Sequence, residues 1–68
     1  MSIEELRKKL SRALNEQFPN AKIIDVHERS FTYELEENNK ISRFIVKYTI
    51  IPPDCDVKID WSDASFTG

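Results

Sequence analysis

Glycine is almost absent from this sequence. The chain has 68 residues and one glycine, which is the last residue, Gly68. Phosphate-binding loops and the dinucleotide-binding fingerprint both need glycines within the chain, because the backbone there turns tightly and closely approaches the phosphates. The sequence therefore excludes both kinds of nucleotide site, and we predict no small-molecule cofactor.

Cysteine is equally scarce, and long apolar runs are missing. A single cysteine, Cys55, cannot close a disulfide within the chain, and its isolation is typical of a reducing compartment. No apolar run approaches the roughly 20 residues that span a membrane, and the first residues do not resemble a charged and then apolar leader. We therefore predict a cytoplasmic protein with no membrane partner.

Charge of neither sign dominates the chain, whose net charge is −2. The first 20 residues carry four cations against three anions, and the last 15 carry four aspartates against one lysine. A net charge this small does not by itself indicate a partner. The length predicts one domain over residues 1–68. So short a chain buries only about 60% of the surface of its unfolded form, so most apolar side chains are expected in one core.

The first segment has the pattern of an amphipathic helix. Ser2 and Glu5 fit a capping box, in which each side chain bonds to the backbone N–H of the other residue. Apolar residues then recur at helical spacing, namely Ile3, Leu6, Leu10, Ala13 and Leu14. Pro19 disfavours helical backbone at the residue before it. We predict a helix over about residues 3–17.

From residue 21 onward the hydrophobic period changes to two, which is typical of strands. The alternation predicts four strands, over about residues 22–29, 31–36, 41–51 and 55–61. Glu37-Asn38-Asn39-Lys40 is the predicted hairpin connection between the second and third strands, because asparagine tolerates positive φ where no glycine is available. Residues 62–68 have no period and are expected to form a loose tail, in which Phe66 is the one large apolar side chain.

The alternation decides which side chains face the core in the third strand, but not in the first. In the first strand, Ile24 and Val26 on the core side leave Ile23 in solvent, and the opposite register is also possible. The third strand has one apolar face, which consists of Phe44, Val46, Tyr48 and Ile50.

The stretch DCDVKIDW, residues 54–61, raises the question of a metal site. Its alternation instead predicts a strand that directs four side chains to the core, namely Cys55, Val57, Ile59 and Trp61. Alternate residues of a strand lie about 7 Å apart, which is too far for their carboxylates to share one ion. A calcium loop also needs a glycine and a distal glutamate. We predict a solvated row of aspartates and no metal site.

No catalytic residue is predicted either. Cys55 could act as a nucleophile with the one histidine, His27, as its base. The favoured register places the two side chains on opposite faces of the sheet, and no cation adjacent in the sequence would activate the thiol. We therefore interpret Cys55 as a core residue and the protein as not an enzyme.

These elements together predict an α+β fold. An N-terminal amphipathic helix packs on one face of a four-stranded antiparallel sheet, in the order α-β-β-β-β, and a short C-terminal tail follows. Antiparallel sheets can keep their second face in water. We expect that face to be polar, with a few isoleucines.

The fold and the lack of a reactive centre favour a small non-enzymatic protein-binding module. Such a module would be an inhibitor, adaptor or accessory subunit of the type that phages and mobile elements encode. It would dock its open sheet face or its acidic last strand on a larger protein, or on its own copy as a homodimer. The candidate contacts are Arg43, Ile45, Lys47, Asp56, Lys58 and Asp60.

Two alternatives involve nucleic acid. The helix has a basic patch, which could serve a nucleic-acid-associated regulator and consists of Arg7, Lys8, Lys9 and Arg12. Glutamates interrupt the patch, and the sequence pI of about 5.3 is acidic, whereas nucleic-acid-binding surfaces are usually basic overall. The second alternative is an acidic mimic, whose aspartate row would occupy the nucleic-acid groove of another protein.

Overall fold

The computed structural model describes residues 2–68, which form one helix and one four-stranded sheet. The elements are α1 (Ile3–Gln17), β1 (Lys22–Val26), β2 (Ser30–Glu37), β3 (Lys40–Ile51) and β4 (Asp56–Phe66). The strands follow one another across the sheet in the order β1-β2-β3-β4, and each neighbouring pair is antiparallel. The predicted fold class, an N-terminal helix on an antiparallel sheet in the order α-β-β-β-β, is confirmed.

The helix α1 has the bounds that the sequence predicts. It begins after Ser2, whose hydroxyl accepts a hydrogen bond from the Glu5 N–H at 3.2 Å. It ends where the Phe18 N–H donates to the Leu14 carbonyl at 2.7 Å. Its apolar stripe faces the sheet, and Leu10 and Leu14 are fully buried there. In the part of the chain that the structure describes, no helix has the length and apolarity needed to cross a membrane.

The core is one layer between α1 and the sheet. Among residues 2–68, eight apolar side chains are buried there, namely Leu10, Leu14, Ala21, Phe31, Tyr33, Val46, Tyr48 and Ile59. The buried residues of β2 and those of β3 each share one parity, and for β3 this is the predicted apolar face. Within residues 2–68, no element covers the opposite side of the sheet, which we call the open face.

The strand β1 adopts neither of the two simple registers, because a bulge interrupts it. Ile23 pairs with Tyr33 and Asp25 pairs with Thr32, which leaves Ile24 without a partner. The extra residue allows both Ile23 and Val26 to pack against the core, although they are three positions apart. The prediction that Ile24 is a core residue is therefore wrong.

The ends of β1 and β2 are fixed by their connections. The strand β1 stops at Val26, short of the predicted residue 29, because the His27 N–H closes a turn on the Ser30 carbonyl at 2.7 Å. The predicted connection over residues 37–40 is tighter than expected, because Glu37 and Lys40 still pair and only Asn38 and Asn39, with φ values of +52° and +65°, form the loop. Positive φ at both positions is the requirement of a type I′ turn.

The loop between β3 and β4 holds Cys55, contrary to the prediction that it starts the last strand. Its φ is +56°, a left-handed conformation, and its side chain is only half-buried. The ammonium group of Lys9 donates to the carbonyls of Asp54 and Cys55 at 2.9 and 3.0 Å. The turn after Pro52 and Pro53 therefore extends one residue further than the alternation indicates.

The strand β4 continues to Phe66, so the prediction of a loose tail is wrong for residues 62–66. Lys47 pairs with Asp60 but Ile45 pairs with Ser65, so Val46 alone faces residues 61–64. This wide bulge shifts the phase of the alternation, which explains why the sequence shows no period there. Beyond Phe66, backbone hydrogen bonds of 2.8 Å from and to Arg43 hold residues 67 and 68 against β3.

Candidate functional site

The open face brings together all six residues predicted as partner contacts. Along β3 it carries Ile41, Arg43, Ile45, Lys47, Thr49 and Ile51. On β4, Asp60 lies opposite Lys47, Lys58 opposite Thr49, and Asp56 opposite Ile51. Residues that face each other across two strands point to the same side of the sheet. The register therefore places Asp56, Lys58 and Asp60 beside the β3 row.

The charges of the open face alternate in sign across the strands. The Arg43 Nε lies 3.5 Å from the Glu34 Oε1, and the Lys47 Nζ lies 3.9 Å from the Asp63 Oδ2. All four side chains keep contact with solvent, and exposed ion pairs of this kind contribute at most about 1 kcal/mol each. The two cations on β3, flanked by carboxylates on β2 and β4, remain available for exchange with a partner's charges.

Isoleucines interrupt the charged row of β3. Ile45 is half-buried near the middle of the strand, whereas Ile41 and Ile51 at its two ends are 57% and 44% exposed. Protein-binding surfaces combine apolar contacts with polar ones. The open face has both features, although its apolar positions are separated from one another.

A second exposed surface lies on the helix side, at the end of the sheet that α1 does not reach. The strand β3 has 12 residues and spans about 40 Å, whereas the 15 residues of α1 span about 22 Å. Beyond the helix, the ring of Phe44 stacks on Tyr33 at 5.4 Å and meets Phe66 edge-on at 5.5 Å. Phe66 is 67% exposed. We call Phe44 and Phe66 the aromatic end.

Sequence reasoning missed the aromatic end because it expected a loose tail there. One signal was present: the predicted helix is too short to cover a strand that runs from residue 41 to residue 51. The bulge in β4 then returns Phe66 to the helix side, opposite Phe44.

The basic patch of α1 is partly engaged within the protein. Lys9 holds the β3–β4 loop through two carbonyls, and the Arg7 guanidinium approaches the Ile24 carbonyl at 3.4 Å. Lys8 and Arg12 are exposed on the helix. Two of the four predicted nucleic-acid contacts, Arg7 and Lys9, therefore bind backbone carbonyls of the protein itself. Fewer cations of the patch are available to phosphates than the sequence suggests.

The potentially reactive side chains lie in two separate connections. Cys55 is in the β3–β4 loop, and His27 is in the turn after β1, where its Nε2 lies 3.7 Å from the Asp25 Oδ2. Among residues 2–68, no three histidine, cysteine, aspartate or glutamate side chains come together in an arrangement that could hold a metal ion.

Two tyrosines of the core have perturbed acidity. Burial raises the pKa of Tyr33, and burial together with the negative charge of Glu28 raises the pKa of Tyr48. The Tyr48 hydroxyl donates to the carbonyls of His27 and Glu28, at 2.8 and 3.1 Å. These hydrogen bonds attach the β1–β2 turn to β3, so Tyr48 is an anchor of the fold.

No family model, curated protein or solved structure matches the chain.

Proposed function

We propose that this protein is a small non-enzymatic binding module that docks its open face on a larger protein. Such a module acts as an inhibitor, adaptor or accessory subunit. The observation that carries the proposal is the register of β3 and β4, which gathers Arg43, Ile45, Lys47 and three charged residues of β4 on one uncovered face.

The size of the open face supports this role. The four strands have 5, 8, 12 and 11 residues. At about 3.3 Å per residue and about 4.8 Å per strand, they cover a flat area of about 570 Å². Specific protein interfaces bury about 800 Å² on each partner. A protein partner can therefore use most of the open face, whereas a small molecule would use only a fraction of it.

Charge on the open face is suited to specificity. Cations on β3 between carboxylates on β2 and β4 present a fixed pattern, and a partner with the wrong pattern would meet like charges. The alternating isoleucines supply apolar contacts between these charges.

Affinity capture from cells that produce the protein tests the proposal. The wild type is compared with Arg43→Glu/Lys47→Glu, which reverses both cations of the open face. The matched control is Lys8→Glu/Arg12→Glu, which makes the same change of charge on the exposed side of α1. We expect the open-face variant to lose a captured protein that the wild type and the control both retain. Equal capture by all three chains would refute docking through the open face.

The same control variant tests the nucleic-acid alternative. If the protein were a nucleic-acid-associated regulator, it would retard nucleic acid in an electrophoretic shift assay at low salt. Lys8→Glu/Arg12→Glu would abolish this shift, and Arg43→Glu/Lys47→Glu would leave it. The engagement of Arg7 and Lys9 with backbone carbonyls makes protein docking the better-supported function.

A further inference from the structure

The two edges of the sheet differ in how well they are protected from pairing with another strand. The strand β1 has five residues and a bulge at Ile24, features that discourage edge-to-edge pairing. The strand β4 has 11 residues, and its ladder with β3 is regular from Asp56 to Asp60. No proline interrupts β4. Its outer edge is therefore an available template for another strand.

The direction of the backbone groups on β4 follows from hydrogen bonds of β3. The Tyr48 N–H donates to the Arg29 carbonyl on the β2 side at 3.1 Å, and the Arg43 N–H donates to the Gly68 carbonyl on the β4 side at 2.8 Å. Successive residues of an antiparallel strand direct their backbone groups to alternate neighbours. Lys47 and Thr49 therefore face β4.

Alternate residues of β4 direct their backbone N–H and C=O groups to β3, and the residues between them direct theirs to the free edge of the sheet. Asp60 and Lys58 lie opposite Lys47 and Thr49, so their backbone groups point to β3. The N–H and C=O groups of Val57 and Ile59 then point away from the sheet, as does the N–H of Trp61, which shares a peptide plane with the inward Asp60 carbonyl. Ile59 is the middle one of the three.

We propose that β4 pairs antiparallel with β4 of a second copy, across a two-fold axis at Ile59. This inference deepens the proposed binding function, because it names the partner of the β4 edge. Ile59 exchanges both backbone hydrogen bonds with Ile59 of the second copy, and the Val57 carbonyl accepts from the Trp61 N–H of the second copy. The two sheets join into one sheet of eight strands, with both helices on the same side.

Charge selects this register over those centred on Lys58 and Asp60, and the adjacent loop disfavours the one centred on Val57. With the axis at Ile59, Lys58 lies directly opposite Asp60 of the second copy, and the symmetry repeats the pair. These are non-hydrogen-bonded positions, where opposite side chains are closest. Moving the axis to Lys58 opposes two lysines and brings Asp56 against Asp60. Moving it to Asp60 opposes two aspartates, and moving it to Val57 extends the pairing into the loop.

The helix side of the joint also offers an apolar contact. The same register places Val57 beside Trp61 of the second copy, and both side chains point to the helix side. Val57 lines a groove between α1 and β4 together with Ala13 of the helix. The half-buried indole of Trp61 would meet this groove and gain burial from it.

Sedimentation equilibrium of the purified chain tests the pairing directly. We expect the wild type to form a dimer that dissociates on dilution. Lys58→Glu places two glutamates opposite two aspartates, and Asp60→Lys places two lysines opposite two lysines. Each variant alone should have a dimer dissociation constant raised at least about tenfold, because two attractive pairs become repulsive.

A mixture of the two variants is the decisive measurement. In a mixed dimer, Glu at position 58 meets Lys at position 60, and the native Lys58 meets the native Asp60, so both pairs attract. Equimolar mixing should restore a dimer with nearly the wild-type dissociation constant. Lys22→Glu makes the same change of charge as Lys58→Glu but lies on β1, and it should leave the dimer intact. Circular dichroism verifies that each variant is folded.

Three results would overturn the pairing. The first is a wild type that stays monomeric at every accessible concentration. The second is a dimer whose dissociation constant Lys58→Glu does not raise, or raises no more than Lys22→Glu does. The third is a pair of monomeric variants that do not associate when mixed. Because these measurements use the purified chain alone, their failure leaves docking through the open face untouched, and a failed capture experiment leaves the dimer untouched.

Discussion

Removing the hydroxyl of Tyr48 tests how the turn between β1 and β2 is attached to the sheet. The hydroxyl lies 2.8 Å from the His27 carbonyl and 3.1 Å from the Glu28 carbonyl. Tyr48→Phe keeps the buried ring and the backbone hydrogen bond to Arg29, so it deletes only the donor. Any loss of stability then reports the anchoring of the turn.

The expected loss follows from the surroundings of the two carbonyls. A hydrogen bond within a protein contributes a net 0.5–1.5 kcal/mol, or about 1 kcal/mol on average. His27 and Glu28 are exposed, so water can reach the carbonyls in the variant and the larger penalty of a buried unpaired group does not apply. We expect the free energy of unfolding at neutral pH to fall by about 1 kcal/mol. For so small a protein, this lowers Tm by about 4–8 °C.

The same substitution has a pH dependence. Burial and the charge of Glu28 raise the pKa of Tyr48 above the ordinary value of 10.0. Below pH 10 both the folded and the unfolded chain keep the phenolic proton, so the neutral Tyr48 hydroxyl contributes its full share to the free energy of unfolding. Above pH 10 the unfolded chain ionises first, and the contribution is lost as the pH rises through the folded-state pKa. Tyr48→Phe has no phenol at this position to ionise, so it does not lose stability in this way. The stability of the wild type should therefore fall towards that of the variant at alkaline pH.

Urea and thermal unfolding, followed by far-ultraviolet circular dichroism from neutral pH to above pH 10, measure both effects. Tyr33→Phe is the matched control, because within residues 2–68 the Tyr33 hydroxyl makes no hydrogen bond to the protein. Tyr33→Phe should lower the free energy of unfolding at neutral pH by less than Tyr48→Phe does, although burial also raises the pKa of Tyr33. If Tyr48→Phe were as stable as the wild type at neutral pH, or no less stable than the control, the anchoring role of the hydroxyl would be refuted.

Three further substitutions test other parts of the fold. Leu10→Ala should lower the free energy of unfolding by about 2–5 kcal/mol, because Leu10 is fully buried between α1 and the sheet; a small shift in urea denaturation would contradict this packing. Asp56→Asn should change it by no more than about 0.5 kcal/mol, and a large loss would mean that the solvated aspartate has a structural partner. Lys9→Met should cost about 1 kcal/mol and speed the reaction of Cys55 with a thiol reagent, because two hydrogen bonds to the β3–β4 loop are lost; an unchanged rate would argue against that restraint.

The parts of the fold that sequence predicts well are those whose hydrophobic period is uninterrupted. The helix bounds at residues 3 and 17 agree with the structure because the cap at Ser2 and the stop at Pro19 are local signals. The hairpin at Asn38 and Asn39 agrees for the same reason, since positive φ is a property of single residues. Local rules therefore suffice for α1, β2 and β3.

Both outer strands departed from prediction, and in both a bulge changes the face to which the side chains point. An inserted residue at Ile24, and three extra residues in β4 opposite Val46, change which side chains face the core. Glycine often marks such positions in a sequence. This chain has no internal glycine, so its bulges leave no local signal.

The sequence predicts which residues of β3 share the open face, but it does not predict the contacts that long side chains make elsewhere in the fold. Strand parity alone places Arg43, Ile45 and Lys47 on one face, because it depends only on counting along β3. The engagement of Lys9 was not predictable, since it joins α1 to a loop 45 residues later in the chain. Long flexible cations reach partners that only the folded backbone brings close.

Joining two copies through β4 would also change how the open face binds. The two-fold axis is normal to the sheet, so the open faces of both copies would lie on the same side as one continuous surface. Lys58 and Asp60 would then pair across the joint, which leaves Arg43, Ile45 and Lys47 of each copy for a larger partner. A partner with two matching sites would gain affinity from simultaneous engagement without any new contact. Lys58→Glu should therefore weaken capture of such a partner, although the β3 residues that contact it are unchanged, and the mixture with Asp60→Lys should restore it.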